Sequence, residues 1–348
     1  EEINIGHAGT AMRFLTSYFS STQNSSKILT GSERMKQRPI SILVDALNSI
    51  GADIEYIDKV GYPPIRLKGK LISNYTVSLP ANVSSQYLSS LMMLGISLSE
   101  GLIINLSTKI TSLPYIKMTK ELIERVGGKI FIQPDKIIVE PILENKISDQ
   151  TVESDWSSAS YFYSLVALSD FSEITISSFF KKSIQGDSRI VELYKQFGVE
   201  TKFRDNKIYL KKNKIVLPDS ISINLKDNPD LAQTIVITCL GLGVDCDLQG
   251  LHTLKIKETD RLLALKKEIE KFDVDRVDVS DQSITLKNNS DLKTGVSIDT
   301  YNDHRMAMSF APLSLINPII INNPEVVSKS YSNFWNDLKL LGFNISEK

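Results

Sequence analysis

Five segments with helical periodicity recur along this 348-residue chain, each closed by a residue suited to left-handed backbone. They cover residues 41–50 before Gly51, 118–126 before Gly127, 189–197 before Gly198, 261–272 before Asp273, and 334–341 before Gly342. The closing residues are 76, 71, 75 and 69 apart, a spacing too even for helix–glycine junctions scattered by chance. Four of the five are followed by a strand, a polar turn and a second strand. The clearest hairpin is centred on Asp205-Asn206, with others at Pro134-Asp135 and near Asp281. The repeating unit therefore reads strand, helix, strand, hairpin, which predicts an α/β (α+β) protein of mixed sheets covered by helices on one side. A polar run from Glu144 to Gln150 separates the second unit from the third. It divides the chain into an expected first lobe, 1–152, and second lobe, 153–348.

Composition excludes more than it assigns. Apolar residues make up 42%, charged residues 23%, and the formal net charge is −1, so no global charge favours nucleic acid or an anionic membrane. No apolar run approaches the roughly 20 residues that span a bilayer. Two cysteines in so long a chain, Cys239 and Cys246, are no disulfide framework, which suggests a reducing, cytoplasmic setting. Of the 40 cationic residues only ten are Arg, and five of these fall in short motifs between the repeats. A planar fork at chosen places suits carboxylate or phosphate ligands.

Those motifs lie mostly where a strand hands over to a helix. Gly6-His7-Ala8-Gly9-Thr10-Ala11-Met12-Arg13 opens a helical run over residues 11–19, where free backbone N–H groups favour an anion; small residues there equally serve packing. Arg34-Met35-Lys36-Gln37-Arg38 places three cations in five residues. Ser84 is a natural N-cap for an apolar helix over 87–98, and Ser112-Leu113-Pro114-Tyr115 is a second helix entry. Lys257-Glu258-Thr259-Asp260-Arg261 mixes both signs at a helix start, where capping alone would favour acids. Thr300-Tyr301-Asn302-Asp303-His304-Arg305 reads as a loop presenting Asp, His and Arg ahead of a buried helix. Lys329 precedes the last helix. Stacked repeats bring equivalent positions to one face, so the cations are expected to line one anion-binding cleft. The absence of a P-loop and of a carboxylate cluster points to a phosphorylated or carboxylated metabolite, with no metal.

Taken together, Gly9 through Arg13, Arg34 through Pro39, Ser84-Ser85-Gln86, Gln185-Gly186-Asp187, Lys257 through Arg261 and Tyr301 through Met306 resemble the 5-enolpyruvylshikimate-3-phosphate synthases of the enolpyruvyl transferase family. Val152 through Ala159 resembles the family's crossing between lobes. The resemblance implies two lobes, each of three βαβαββ units around a pseudo-threefold axis (an inside-out α/β barrel), five of six being present. It implies transfer of the enolpyruvyl group of phosphoenolpyruvate to the 5-hydroxyl of shikimate 3-phosphate with release of phosphate, by addition then elimination. It implies no metal or organic cofactor, no nucleic-acid or membrane partner, and a monomer acting on small molecules.

Carried over by motif, Asp230 is the expected base and a ligand of the 4- and 5-hydroxyls. Glu258 is the expected acid at the phosphoenolpyruvate methylene; such an acid must hold a proton, which burial favours and neighbouring cations oppose. Arg261, Arg305 and Lys329 are implied as carboxylate ligands of phosphoenolpyruvate, and Gly9, Arg34 and Gln86 as ligands of its phosphate. Ser84, Ser85, Ser112, Tyr115, Asp230 and Lys257 are implied for shikimate 3-phosphate. The sequence departs from the family at His7 (usually Asn), Phe14 (usually Pro) and Leu113 (commonly Lys). A family Lys-Ser…Arg segment is absent from the start, and the repeat count sets that loss at about 70 to 90 residues, one unit. The alternatives are an inactive fragment or non-catalytic anion-binding relative, and the enolpyruvyl transferase acting on a UDP-amino sugar, which relies on a loop cysteine that Cys239, in an apolar helix, does not supply.

Overall fold

Alternating apolar residues pair the first strands while the segments between them coil. β1 (Glu2–Asn4), α1 (Gly9–Ser21), β2 (Ser26–Thr30), α2 (Ser41–Ser49), β3 (Asp53–Tyr56) and β4 (Ile65–Lys68) form one βαβαββ unit in the computed structural model. Its sheet has the order β1-β2-β4-β3, with β1 parallel to β2 and the other pairs antiparallel. The pattern repeats in β5 (Thr76–Leu79), α3 (Ser85–Gly95), β6 (Leu102–Leu106), α4 (Leu113–Arg125), β7 (Lys129–Ile132) and β8 (Lys136–Glu140), in the order β5-β6-β8-β7. Leu102 and Ile104 of β6 point into the core while Ile103 faces out, the period-two pattern of a sheet covered on one side. The structure describes all residues except Asn145, Ile147, Ser148, Ser290 and Lys348, so part of the expected lobe junction lies outside the described residues.

The chain divides into two compact units, Glu1–Thr151 and Val152–Lys348. The second begins with α5 (Trp156–Leu168), β9 (Glu173–Ser177), α6 (Ile190–Leu193), β10 (Val199–Arg204) and β11 (Lys207–Lys212). A complete repeat follows: β12 (Ser220–Asn224), α7 (Ala232–Leu242), β13 (Asp245–Gln249), α8 (Arg261–Glu270), β14 (Arg276–Val279) and β15 (Ser283–Lys287), ordered β12-β13-β15-β14. The last has β16 (Ser297–Ile298), α9 (His304–Phe310), β17 (Ile320–Ile321) and α10 (Phe334–Leu340), with β16 and β17 parallel. Each unit closes on its own hydrophobic core.

All five expected closing residues have positive φ: Gly51 at 107°, Gly127 at 99°, Gly198 at 80°, Asp273 at 58° and Gly342 at 96°. The hairpin at Asp205-Asn206 has both turn residues left-handed, the twist-matched geometry for two-residue loops. Three details differ from the sequence reading. The third repeat has a three-stranded sheet, β10-β11-β9; where a first strand would pair, Ser154 alone donates to Ser178 O. Residues 189–197 form a single α-turn flanked by 3-10 turns, Gly186–Arg189 and Tyr194–Phe197, in place of one regular helix. The first helix starts at Gly9, two residues early, and the helix after Ser84 runs Ser85–Gly95.

The helices pack through paired small hydroxyls. Ser17 and Ser90 lie 2.6 Å apart across α1 and α3, and Ser89 and Thr119 2.7 Å apart across α3 and α4. In the second unit Ser160–Thr234 and Ser164–Thr238, both 2.8 Å, join α5 to α7. Each pair satisfies two buried hydroxyls at once and lets the helices approach closely.

Candidate active site

In the first unit the starts of α1 and α3 meet. Gln86 donates to Thr10 Oγ1 at 2.8 Å, while Ser84 caps α3 by accepting from Gln86 N at 3.3 Å. Ala8 precedes α1 with no side-chain cap, so no capping side chain takes up the helix's first N–H groups. A Cβ on Gly9 would stand 2.6 Å from an Arg38 guanidinium nitrogen and 2.9 Å from one of Arg13, so a side chain here would have to displace both guanidiniums. Arg13 is buried, donates to Gly9 O at 2.9 Å, and lies 6.0 Å from the Tyr87 ring centroid. His7 and Ser32 are 2.9 Å apart, joining the start of α1 to the Arg34 turn, and Arg34 reaches Gln37 at 3.4 Å. Ser112, buried and left-handed at φ 54°, opens α4, and its carbonyl accepts from Tyr115 N. Ser85 occupies the first turn of α3.

In the second unit the expected residues come into one ion-pair network centred on Arg261. Its guanidinium, on the first residue of α8 and 2% exposed, donates to three carboxylates. Nε reaches Asp303 at 2.7 Å, one terminal nitrogen reaches Asp230 at 3.0 Å, and the other reaches Glu258 at 2.8 Å. Arg305, at the start of α9, reaches the second oxygen of Asp230 at 3.2 Å and Tyr161 OH at 3.4 Å. Lys257 lies 3.5 Å from Asp230, and Lys329 pairs with Glu258. Local structure sets each position. Asp230 sits in the 3-10 turn Pro229–Leu231 that feeds α7, Asp260 caps α8, and Asp303 caps α9 through Arg305 N at 2.9 Å. Asp260 is thus a cap within a string read as mostly functional.

The cluster sets four cations, Lys257, Arg261, Arg305 and Lys329, against three carboxylates, Asp230, Glu258 and Asp303. Burial would raise Asp230, yet Lys257, Arg305 and Arg261 together hold it well below the usual carboxylate range. Burial disfavours the charged forms of Arg261 and Arg305 too, and their carboxylate neighbours more than offset it, so both stay cationic. For Lys329 burial prevails over the opposing pull of Glu258, and the ammonium is lowered. His304 is pushed to about 3 by burial and then by Arg305, so its ring is neutral, with Nδ1 lacking a hydrogen-bond partner. Asp187, behind Asp230, rises to about 6 through burial and the Asp230 charge. The arrangement is a preorganised acceptor for an anion, with carboxylates and cations interleaved.

The sequence model of EPSP synthase (3-phosphoshikimate 1-carboxyvinyltransferase) matches residues 1–338. The chain belongs to the EPSP synthase family. It is 45% identical over 347 residues to the 3-phosphoshikimate 1-carboxyvinyltransferase of Bacteroides fragilis, covering 99% of this chain and 84% of that one. The Colwellia psychrerythraea protein of the same name is 34% identical over 343 residues, covering 97% and 78%. The fold is that of the EPSP synthase of Acinetobacter baumannii, at TM-score 0.71 and 20% identity, covering 98% of this chain and 78% of that one. NikO of Streptomyces tendae, an enolpyruvyl transferase, also superposes at TM-score 0.71 with 13% identity, covering 96% and 76%.

Both cysteines are buried and unbridged, Cys239 in α7 and Cys246 in β13, and burial pushes the Cys239 thiol well above its ordinary value. Neither is a loop nucleophile. Among the described residues no cluster of His, Cys, Asp or Glu is arranged to hold a metal, and no helix is long and apolar enough to cross a membrane. The sequence reading assigned no role to Asp303, Tyr161 or Asp187. Asp303 lies in the Tyr301–Met306 string, but its pairing with a residue 42 positions earlier has no local signal.

Proposed function

We propose that this EPSP synthase family member transfers the enolpyruvyl group of phosphoenolpyruvate to the 5-hydroxyl of shikimate 3-phosphate, and that the Arg261 cluster carries the chemistry. The carrying observation is that Asp230 and Glu258, the expected base and acid, are both held by one buried guanidinium. Asp230 accepts the hydroxyl proton as the oxygen attacks C2 of phosphoenolpyruvate, while Glu258, acting in its protonated form, delivers its own proton to the C3 methylene. Glu258 then takes a C3 proton back as phosphate departs from the tetrahedral adduct with the proton held by Asp230, which completes the transfer and restores both carboxyl groups. Lys257, Arg305 and Arg261 beside Asp230 quench its basicity. A bound carboxylate drawing Arg305 and Arg261 towards itself restores it, which couples substrate binding to activation of the base. Arg305 has an unpartnered Nε and meets Asp230 at one oxygen, so it retains donors for a carboxylate.

Arg261, Arg305 and Lys329 are assigned to the phosphoenolpyruvate carboxylate, and Gly9, Arg34 and Gln86 to its phosphate. Ser84, Ser85, Ser112, Tyr115 and Lys257 are assigned to shikimate 3-phosphate with Asp230. The lobes at 1–152 and 153–348, a cytoplasmic location and action as a monomer on these two small molecules belong to the same proposal. The test is phosphate release from the two substrates by the purified protein in the length its gene encodes. Arg305→Ala should raise KM for phosphoenolpyruvate at least tenfold, and Glu258→Gln should lower kcat by roughly 10²- to 10⁴-fold. Wild-type rates in both folded variants would remove the Arg261 cluster from the reaction.

A further inference from the structure

Arg261 is not the only residue of α8 that grips the loop ahead of α9. Glu268 lies seven residues further along, two turns and about 10 Å on the same face. It is fully buried and accepts three hydrogen bonds: Tyr301 OH at 2.7 Å, Asp299 N at 3.0 Å and Lys271 Nζ at 2.6 Å. Lys271 continues to Ser297 O at 2.9 Å and the Asp299 carboxylate at 3.1 Å, so the whole entry to the loop is fastened to α8. The segment held this way is a strained one. Tyr301 and Asn302 both have positive φ, 53° and 56°, and Asp303 N closes the turn on Thr300 O at 2.8 Å. Asn tolerates that backbone; Tyr does not unless something holds it. The next residues are Asp303, which takes Arg261 Nε, and Arg305, which takes Asp230.

We infer that Glu268 is a positioning residue of the active site. By holding Tyr301 in its left-handed turn, it sets the Asp303 carboxylate against Arg261 and aims Arg305 at its ligand. The loop is thus clamped to one helix at two points, Glu268 at its entry and Arg261 at its exit. A change at Glu268 would loosen the cationic site without touching substrate. The consequence for phosphoenolpyruvate rests on the carboxylate role proposed above for Arg261 and Arg305; the clamp itself does not.

The test uses Tyr301→Phe, which removes one hydroxyl and keeps the ring, and Glu268→Gln, which keeps the shape. Arg305→Ala serves as a control. Two readouts are taken: steady-state KM for each substrate, and the Arg261 Nε–H resonance in a ¹H–¹⁵N correlation spectrum. Tyr301→Phe is expected to raise KM for phosphoenolpyruvate three- to tenfold, leave that for shikimate 3-phosphate within twofold, and shift the Arg261 resonance. Glu268→Gln should do the same, and the double variant should be no worse than the poorer single one. An unmoved Arg261 resonance in folded variants overturns the clamp, as does an equal rise in both KM values accompanied by a matching loss of thermal stability. If Arg305→Ala leaves phosphoenolpyruvate binding intact, the carboxylate assignment fails, and the resonance alone still decides the clamp.

Discussion

Asp187→Asn should stabilise the second unit, and by an amount that depends on pH. Asp187 is 3% exposed and accepts from Ser157 Oγ at 2.5 Å and Asn228 Nδ2 at 3.4 Å. Burial, then the Asp230 charge, lifts it from its ordinary 3.8 to about 6, with Ser157 and Arg305 opposing. A carboxyl raised in the fold costs nothing while both states are protonated. It costs progressively more as pH climbs from the unfolded value through the folded one. A shift of about two units corresponds to about 3 kcal/mol of lost stability above pH 6, of which about 1 kcal/mol is already lost at pH 4.5. Asn keeps an acceptor for Ser157 but sets one amide against that of Asn228, a loss of about 1 kcal/mol. The net gain is therefore about 2 kcal/mol at pH 7.5 and near zero at pH 4.5. Both tryptophans, Trp156 and Trp335, lie in the second unit, so urea unfolding followed by their fluorescence reports it alone. A difference between variant and wild type that is the same at both pH values would refute the reasoning.

Three further outcomes follow from the geometry. Gly9→Ala should push a methyl group into the Arg38 and Arg13 guanidiniums, raising KM for phosphoenolpyruvate roughly tenfold, about 1.4 kcal/mol, with the melting temperature unchanged. Asp303→Ala leaves a buried guanidinium without its Nε partner and should cost the second unit about 3–5 kcal/mol in urea unfolding. Asp260→Ala removes the cap on α8 and should cost about 1 kcal/mol by the same assay, with kcat little affected, separating the cap from its catalytic neighbours.

What could be read in the sequence was what local chemistry fixes. Gly51, Gly127, Gly198, Asp273 and Gly342 were legible because a helix turning back into a strand needs a left-handed residue, and few residue types accept it. Asp205-Asn206 was legible for the same reason. The string around Arg261 stood out because cations at a helix start oppose the macrodipole and so ask for another explanation, and that around Arg305 because a polar run meets an apolar helix. What stayed hidden depends on distant partners. Glu268 lies in a run of Lys and Glu that reads as a solvated helix face; the loop of Tyr301 covers it. Residues 189–197 have helical spacing, yet they split into 3-10 and α turns. The third repeat's missing first strand leaves no mark, because Val152 through Ser154 carry no pattern that separates an unpaired segment from a short strand.

The most direct test of the Arg261 cluster as an enolpyruvyl transfer site is a ³¹P and ¹H spectrum of the two substrates with the purified protein in D₂O. The account predicts loss of the phosphoenolpyruvate signal, growth of inorganic phosphate, a new phosphomonoester, and deuterium in the product's vinyl group, all slowed at least a hundredfold by Glu258→Gln. A folded protein that leaves both substrates unchanged, or a Glu258→Gln variant that forms deuterated product at the wild-type rate, would contradict it.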